Sequence, residues 1–120
     1  MNIEDLRDYC LSKRGVTEGF PFNETALVFK VEGKMFCMAD LEGPFHINLK
    51  NHPWKNLELR EQYSAVSPGY HMNKQHWNTV EIDGSIPEPV LRQLIDESYR
   101  IVVEKLPLKK QNELNKMTDL

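Results

Sequence analysis

The chain has 120 residues, of which 40% are apolar and 28% are charged, and its formal net charge is −3. This size and composition predict one globular domain over residues 1–108 and a polar C-terminal tail over residues 109–120. The negative charge counts against a dedicated nucleic-acid binder, because Lys and Arg supply most of the non-specific affinity for phosphates. No apolar stretch approaches the roughly 20 residues of a membrane span, so no membrane partner is expected.

The N-terminus and the cysteines predict a cytoplasmic protein. The first five residues lack the apolar block of a signal peptide. Cys10 and Cys37 are the only cysteines, and each lies in an apolar pattern typical of a small core residue. Because no C-x-x-C motif is present, neither a zinc ribbon nor a thioredoxin-type redox pair is expected.

Apolar residues at helical spacing predict helices at both ends of the domain. The first covers residues 2–14, where Asn2 can cap the N-terminus and Gly15 can take the left-handed conformation that ends a helix. The last begins at Pro87 or Glu88, runs to Lys105 and carries a strong apolar stripe. The polar residues after it are expected to fray or to add a loose helical turn.

Between the helices, apolar residues alternate with a period of two. A turn-rich connector over residues 19–23 precedes two strands joined by a hairpin turn at Glu32-Gly33, the second strand covering residues 34–40. A third strand covers residues 45–50, and a short helix follows from Pro53 to about Gln62. Short strands are predicted near residues 63–66 and 76–82. This order predicts an α+β fold, an antiparallel sheet with both long helices on one face.

The other face of this sheet is then open to solvent or to a partner. Because side chains alternate across a strand, the outward residues can be assigned. They are Lys30, His46, Asn48, Lys50, Trp77, Thr79 and Glu81. Two alternatives stay open for strand 34–40: the residues on the open face are either Lys34, Phe36 and Met38 or Met35, Cys37 and Ala39. A β-bulge would reverse part of any such assignment.

Segment 68–80, with the sequence PGYHMNKQHWNTV, combines a turn, two histidines, a lysine and two aromatic residues. Trp77 on a polar sheet face is typical of a recognition surface, although it can equally be covered by the loop around Tyr70 and fill a small secondary core. His71 and His76 are five residues apart and have no evident third partner, so no metal site is predicted. No Walker, G-x-G-x-x-G, G-x-S-x-G or H-E-x-x-H motif is present. We therefore expect no catalytic residue and no cofactor.

Segment 68–80 resembles the PGYHMNK-[RK]-HWNTV pattern of the MmcQ/YjbR family. Further matches in the same order are Phe20-Pro21-Phe22, Phe29-Lys30-Val31, Gly33-Lys34-Met35-Phe36, Leu49-Lys50, Ser98-Tyr99, Val102 and Leu106-Pro107. The resemblance implies a small bacterial protein with a CyaY-like (frataxin-like) sandwich. It also implies DNA binding, since the sheet hairpins of the family have been likened to a double wing. Gln75 departs from the family pattern and removes one cation from the segment.

Two functions are therefore hypotheses. The first is DNA binding by a monomer through the open sheet face and segment 68–80. Its candidate residues are Lys30, Lys34, Lys50, Lys74, Asn73 and Trp77. The second is a non-enzymatic module that binds a small ligand or a protein. Its candidate residues are Tyr70, His71, His76 and Trp77. A third, purely structural account is that the segment only locks its loop to the sheet.

Overall fold

The structure, a computed structural model, describes residues 1–117. Its helices are α1 (Ile3–Leu11), α2 (Pro53–Gln62), α3 (Glu88–Glu104) and α4 (Leu108–Asn115). Its strands are β1 (Val16–Gly19), β2 (Ala26–Val31), β3 (Lys34–Asp40), β4 (His46–Lys50), β5 (Val66–Pro68) and β6 (Trp77–Glu81). None of the described helices is long and apolar enough to cross a membrane.

The six strands form one sheet in the order β1-β2-β3-β4-β6-β5, and every neighbouring pair is antiparallel. Helices α1 and α3 cover the same face of this sheet. Leu6 of α1 and Ile95 of α3 lie in one buried cluster with Phe29 and Ile47 of the strands. The predicted α+β fold, with an antiparallel sheet and the N- and C-terminal helices on one face, is confirmed.

Helix α1 begins as predicted but ends earlier. Asn2 caps it in a reciprocal pair: its Oδ1 accepts from the amide of Asp5 at 2.8 Å, and the Asp5 carboxylate accepts from the amide of Asn2 at 3.1 Å. The helix stops at Leu11, and Gly15 takes a left-handed conformation with φ of 72°. This turn leads into β1, an edge strand that the sequence did not predict.

The hairpin between β2 and β3 is confirmed at Glu32-Gly33. Both residues have positive φ, 49° and 78°, as a two-residue turn between twisted strands requires. Further along the pair, Phe29 lies opposite Cys37 while Lys30 lies opposite Met35, so Phe36 is an extra residue in β3. The strand therefore contains a β-bulge.

The bulge means that neither alternation predicted for strand 34–40 was right. Phe36, Cys37 and Ala39 are all fully buried in the core beneath the helices. Met35 and Met38 are half-buried and lie on the opposite face, in the cleft described below. The extra residue is what allows Phe36 and Cys37, neighbours in sequence, to enter the same core.

The residues after Pro107 were expected to fray or to add a loose helical turn, but they form helix α4. It spans eight residues, and Leu114 is buried in the main core. A Cβ added at Gly15 would lie only 2.4 Å from Cδ2 of Leu114, which shows how closely α4 approaches the turn after α1. Residues 118–120 of the predicted tail lie outside the described part of the chain.

Candidate ligand-binding cleft

A cleft of about 470 Å³ opens between the uncovered face of the sheet and loop 69–76, the part of segment 68–80 between β5 and β6. The sheet supplies the floor, the loop supplies one side, and the connector between β1 and β2 supplies the rim opposite. The lining residues are Phe22, Asn23, Ala26, Met35, Met38, Asp40, His46, Asn48, Tyr70, His71, Met72, Asn73 and Trp77. We call this feature the open-face cleft.

Thr79 attaches the loop to the sheet. Its hydroxyl donates a 2.6 Å hydrogen bond to Oδ1 of Asn48 and accepts a 3.0 Å hydrogen bond from the backbone N–H of Tyr70. Asn48 and Thr79 are buried, although they belong to the face predicted as open. The loop therefore covers part of that face, and only the part that it leaves uncovered forms the cleft.

The loop also makes its own internal contacts. The N–H of Gly69 donates to the carbonyl of Trp77 at 2.9 Å, and a Cβ at Gly69 would lie 2.8 Å from Cβ of Trp77. Lys74 Nζ donates to the carbonyl of Gly69 at 3.1 Å. Asn73 Oδ1 accepts from the backbone amides of Gln75 and His76, at 2.9 and 3.2 Å. The polar atoms of Asn73 and Lys74 thus hold the loop in shape.

Helix α2 holds the same segment from the other side of the sheet, through a network that the sequence analysis missed. Arg60 Nε donates to Oδ1 of Asn78 at 2.7 Å, and its Nη2 donates to the carbonyl of Lys74. Asn56 Nδ2 donates to the carbonyl of Gln75 at 3.0 Å. Strand alternation places Asn78 on the core side of the sheet, and a buried amide there needs hydrogen-bond partners. This requirement was the signal in the sequence that could have predicted the network.

Polar groups are few on the cleft floor. Asp40 lies opposite His46 in the β3–β4 ladder, and one of its oxygens accepts from the amide of Glu42 at 2.9 Å. Nδ1 of His46 lies 3.0 Å from the carbonyl of Pro44 and must donate to it, which leaves Nε2 as an acceptor in the neutral ring. Among the residues that line the cleft, Asp40 is the only carboxylate, and none is Lys or Arg.

The ligand-binding candidates do not all meet. Tyr70, His71 and Trp77 line the open-face cleft. His76 does not: it is half-buried immediately before β6, and its carbonyl accepts from the amide of Asn51 at 3.0 Å. His71 has a φ of 60°, a left-handed conformation that a non-glycine residue adopts at some cost, and its ring packs 3.9 Å from that of Tyr70.

The lysines predicted to contact nucleic acid lie in separate parts of the structure. Lys30 lines a shallow groove beside β1. Lys34 and Lys50 line another groove of about 470 Å³ together with Trp77 and with Lys105, which follows the last turn of α3. We call this second feature the basic groove. Lys105 was not among the predicted residues, because only the fold brings the end of α3 to these strands.

Lys50 is the central cation of the basic groove. Its Nζ lies 5.9 Å from the centroid of the Trp77 ring, since Lys50 and Trp77 are direct partners in the β4–β6 ladder. Burial lowers the pKa of Lys50, and the positive charge of Lys105 lowers it further. The basic groove therefore holds a half-buried cation, Lys50, near an exposed one, Lys105.

The remaining titratable groups do not form a reactive centre. Within residues 1–117, no group of three His, Cys, Asp or Glu side chains is placed to hold a metal ion. Cys10 and Cys37 are fully buried, and a hydrogen bond between their thiols, together with burial, raises the pKa of Cys37. A raised thiol pKa disfavours the thiolate that a nucleophile would need.

Comparison with known proteins agrees with the sequence resemblance. The YjbR family model matches residues 11–101. The chain belongs to the YjbR family. Escherichia coli K12 YjbR is 38% identical over 112 residues, which cover 92% of this chain and 95% of that protein. YbdF of Escherichia coli O157:H7 is 42% identical over 93 residues, covering 77% and 76% of the two chains.

Solved structures of similar proteins have the same fold as this YjbR-family chain. The crystal structure of DR2400 of Deinococcus radiodurans, a DUF419 domain, superposes with a TM-score of 0.91 at 35% identity and covers 99% of this chain and 91% of its own. A crystal structure of a Pseudomonas syringae protein superposes with a TM-score of 0.74 at 26% identity, covering 84% and 98%. The names of these relatives specify no activity.

Proposed function

We propose that this protein is a non-enzymatic binding module that holds a small organic ligand in the open-face cleft. The observation that carries the proposal is the combination of size and lining. Small-molecule sites are typically concave, about 300 to 1,000 Å³ in volume, mostly apolar, and marked by a few placed polar groups. The open-face cleft has a volume of about 470 Å³ and is lined mainly by Met and aromatic side chains, with Asp40 and His46 among its few polar groups.

The rim of the cleft supports the same proposal. Phe22 and Tyr70 stand on its two sides, and each is 66% exposed. Large aromatic side chains in water cost free energy that is recovered when a partner covers them, and such residues are common at binding surfaces. A flat organic molecule in the cleft would cover both rings.

The loop is held in place before any ligand arrives. It is attached to the sheet through Tyr70 and Thr79, and Lys74 closes it internally. A site whose walls are already fixed loses little conformational entropy on binding, so more of the contact energy contributes to affinity. This arrangement suits a small ligand, which makes too few contacts to order a disordered loop.

A fragment screen followed by backbone amide NMR shifts tests the proposal. Small aromatic and heteroaromatic fragments at millimolar concentration are expected to shift the amides of Phe22, Met38 and Tyr70 together, because these lie on the three sides of the cleft. Hits that shift only the exposed face of α2, around Trp54, count as non-specific adsorption. A broad screen in which no fragment shifts the cleft amides of the folded protein contradicts the proposal.

A second candidate function is the binding of DNA. What supports it is the convergence of Lys34, Lys50 and Trp77 in the basic groove, which offers phosphate contacts beside a stacking surface. Two features count against it: the net charge is −3, and Lys74 is occupied within its own loop.

Duplex DNA titrated at low salt tests this second candidate. The variant Trp54→Phe leaves Trp77 as the one tryptophan, so its fluorescence reports on the boundary between the basic groove and the open-face cleft. DNA binding predicts a change in this fluorescence that added salt reverses, because counterion release drives such binding. Unchanged fluorescence and unchanged amide shifts at low salt exclude DNA as the partner of this groove.

A further inference from the structure

We propose that the ligand of this protein carries an anionic group, a phosphate or a carboxylate, which binds in the basic groove while an aromatic or apolar body lies in the open-face cleft. The inference rests on the proposed function and adds a ligand class to it.

The basic groove is lined by three lysines and by no carboxylate. Its lining residues are Lys34, Met35, Lys50, Trp77, Val102, Lys105, Leu106 and Pro107. None of the three lysine ammonium groups forms an ion pair with another residue in the described range 1–117. Other lysines of the chain do find carboxylates: Lys13 pairs with Asp96, and Lys110 lies 3.6 Å from Glu32. The basic groove therefore brings three lysines together without a carboxylate in its lining.

A structural role explains only part of this cluster. Lys105 follows the last turn of α3, where a cation is favoured by the helix dipole. Lys50 lies at the end of a strand instead, and its contact with the Trp77 ring leaves its charge without a counterion. It is half-buried and faces a second cation, and these two effects lower its pKa. A bound anion would compensate both the burial and the repulsion.

The open-face cleft and the basic groove are adjacent. Met35 and Trp77 line both of them, so the indole of Trp77 is a wall between the body of the cleft and the three lysines. Within the cleft itself the one charged side chain of fixed sign is Asp40, which repels an anion. A ligand with an anionic end therefore has one favourable orientation: its body lies over the methionines of the sheet, and its anionic end passes Trp77 to reach Lys50.

Matched probes test the assignment. 2-Naphthyl phosphate, 2-naphthoate and the neutral 2-naphthalenemethanol share one flat body and differ in charge, and inorganic phosphate supplies the anion alone. Each is titrated by calorimetry and by amide NMR shifts into the native protein, into Lys50→Met and into Lys30→Met. Lys30 is also half-buried, but it lines the groove beside β1. The variant Lys30→Met therefore removes the same charge elsewhere.

The expected result is that at least one anionic naphthyl probe binds about tenfold or more tightly than the neutral probe, as a charge-assisted hydrogen bond predicts. Lys50→Met is expected to abolish this preference, and Lys30→Met to retain it. The comparison of 2-naphthyl phosphate with 2-naphthoate identifies which anion the groove favours. A shift of the Lys50 and Lys105 amides by inorganic phosphate alone would further support the groove.

Failure of the anionic ligand class and failure of the proposed function give different results. If all three naphthyl probes occupy the cleft with equal affinity, the cleft binds ligands but the anionic class is wrong. If inorganic phosphate binds at Lys50 while no naphthyl probe enters the cleft, the groove is an anion site and the proposed function is wrong. If neither phosphate nor an anionic probe shifts the groove amides, the inference is overturned. Duplex DNA that binds through Lys50 more tightly than any naphthyl probe would overturn it in favour of nucleic acid.

Discussion

The hydroxyl of Thr79 in β6 donates a 2.6 Å hydrogen bond to Oδ1 of Asn48 in the neighbouring strand β4. The same oxygen accepts from the amide of Tyr70, so this pair of sheet residues is the attachment point of loop 69–76. Both side chains are almost fully buried beneath that loop. One side of the open-face cleft therefore depends on a polar contact between two strands.

Replacing Thr79 by Val keeps the shape of the side chain and removes this contact. Oδ1 of buried Asn48 and the amide of Tyr70 then lose a partner, which is expected to lower the free energy of unfolding by about 1–3 kcal/mol. Hydrogen exchange at the Tyr70 amide should accelerate. Thr17→Val, at an exposed position of edge strand β1, is the control and should change stability little. Equal urea midpoints for the two variants would contradict this role of Thr79.

Gly69 is predicted to tolerate no side chain. A Cβ there would lie 2.8 Å from Cβ of Trp77 and 3.0 Å from its carbonyl oxygen, closer than packed atoms approach. Gly69→Ala is therefore expected to cost about 1–3 kcal/mol through overpacking. Gly19→Ala is the matched control, because a Cβ at Gly19 would have no atom within 4 Å. Urea unfolding of both variants measures the difference, and a Gly69→Ala protein as stable as Gly19→Ala would refute the close contact.

Helix α4 is predicted to stabilise the domain through Leu114. This side chain is buried in the main core, so Leu114→Ala should lower the free energy of unfolding by about 2–5 kcal/mol. Leu108, in the same helix, is 70% exposed, and Leu108→Ala should be nearly neutral. Thermal unfolding compares the two. An unchanged midpoint for Leu114→Ala would mean that α4 does not contribute to the core.

The contact between Tyr9 and Asp96 predicts a loss of stability at alkaline pH. The Tyr9 hydroxyl donates to Asp96 at 2.6 Å, and burial together with this hydrogen bond raises the pKa of Tyr9 from its ordinary value of 10.0 to about 12. Between these values the folded chain keeps a proton that the unfolded chain has released, so stability falls as pH rises. Tyr9→Phe should flatten this part of the pH dependence of the unfolding free energy. An unchanged slope would contradict the assignment.

Local signals in the sequence predicted much of the fold. The cap at Asn2, the hairpin at Glu32-Gly33, and the bounds of β3 and α2 each depend on residues a few positions apart, and they appear where expected. The bulge at Phe36 could not be predicted from the sequence, because both faces of strand 34–40 would carry apolar residues. Strand β1 is four residues at a sheet edge, too short for a periodic pattern.

The positions of the candidate site residues in the fold could be predicted only in part, for a physical reason. Tyr70, His71 and Trp77 lie within one segment, so their shared location followed from the sequence. Phe22 and Lys105 belong to distant parts of the chain, and only the sheet order and the position of α3 bring them beside Trp77. Pairwise contacts between distant segments leave no local pattern in a single sequence.

The most direct test of ligand binding in the open-face cleft is the affinity of the best fragment hit for two matched variants, Phe22→Ala and Phe20→Ala. Both phenylalanines are exposed in the same connector, but only Phe22 lines the cleft. Loss of one aromatic contact predicts a dissociation constant about three- to tenfold higher for Phe22→Ala, with Phe20→Ala unchanged. Equal affinity of the two variants for the fragment would contradict a binding site in this cleft.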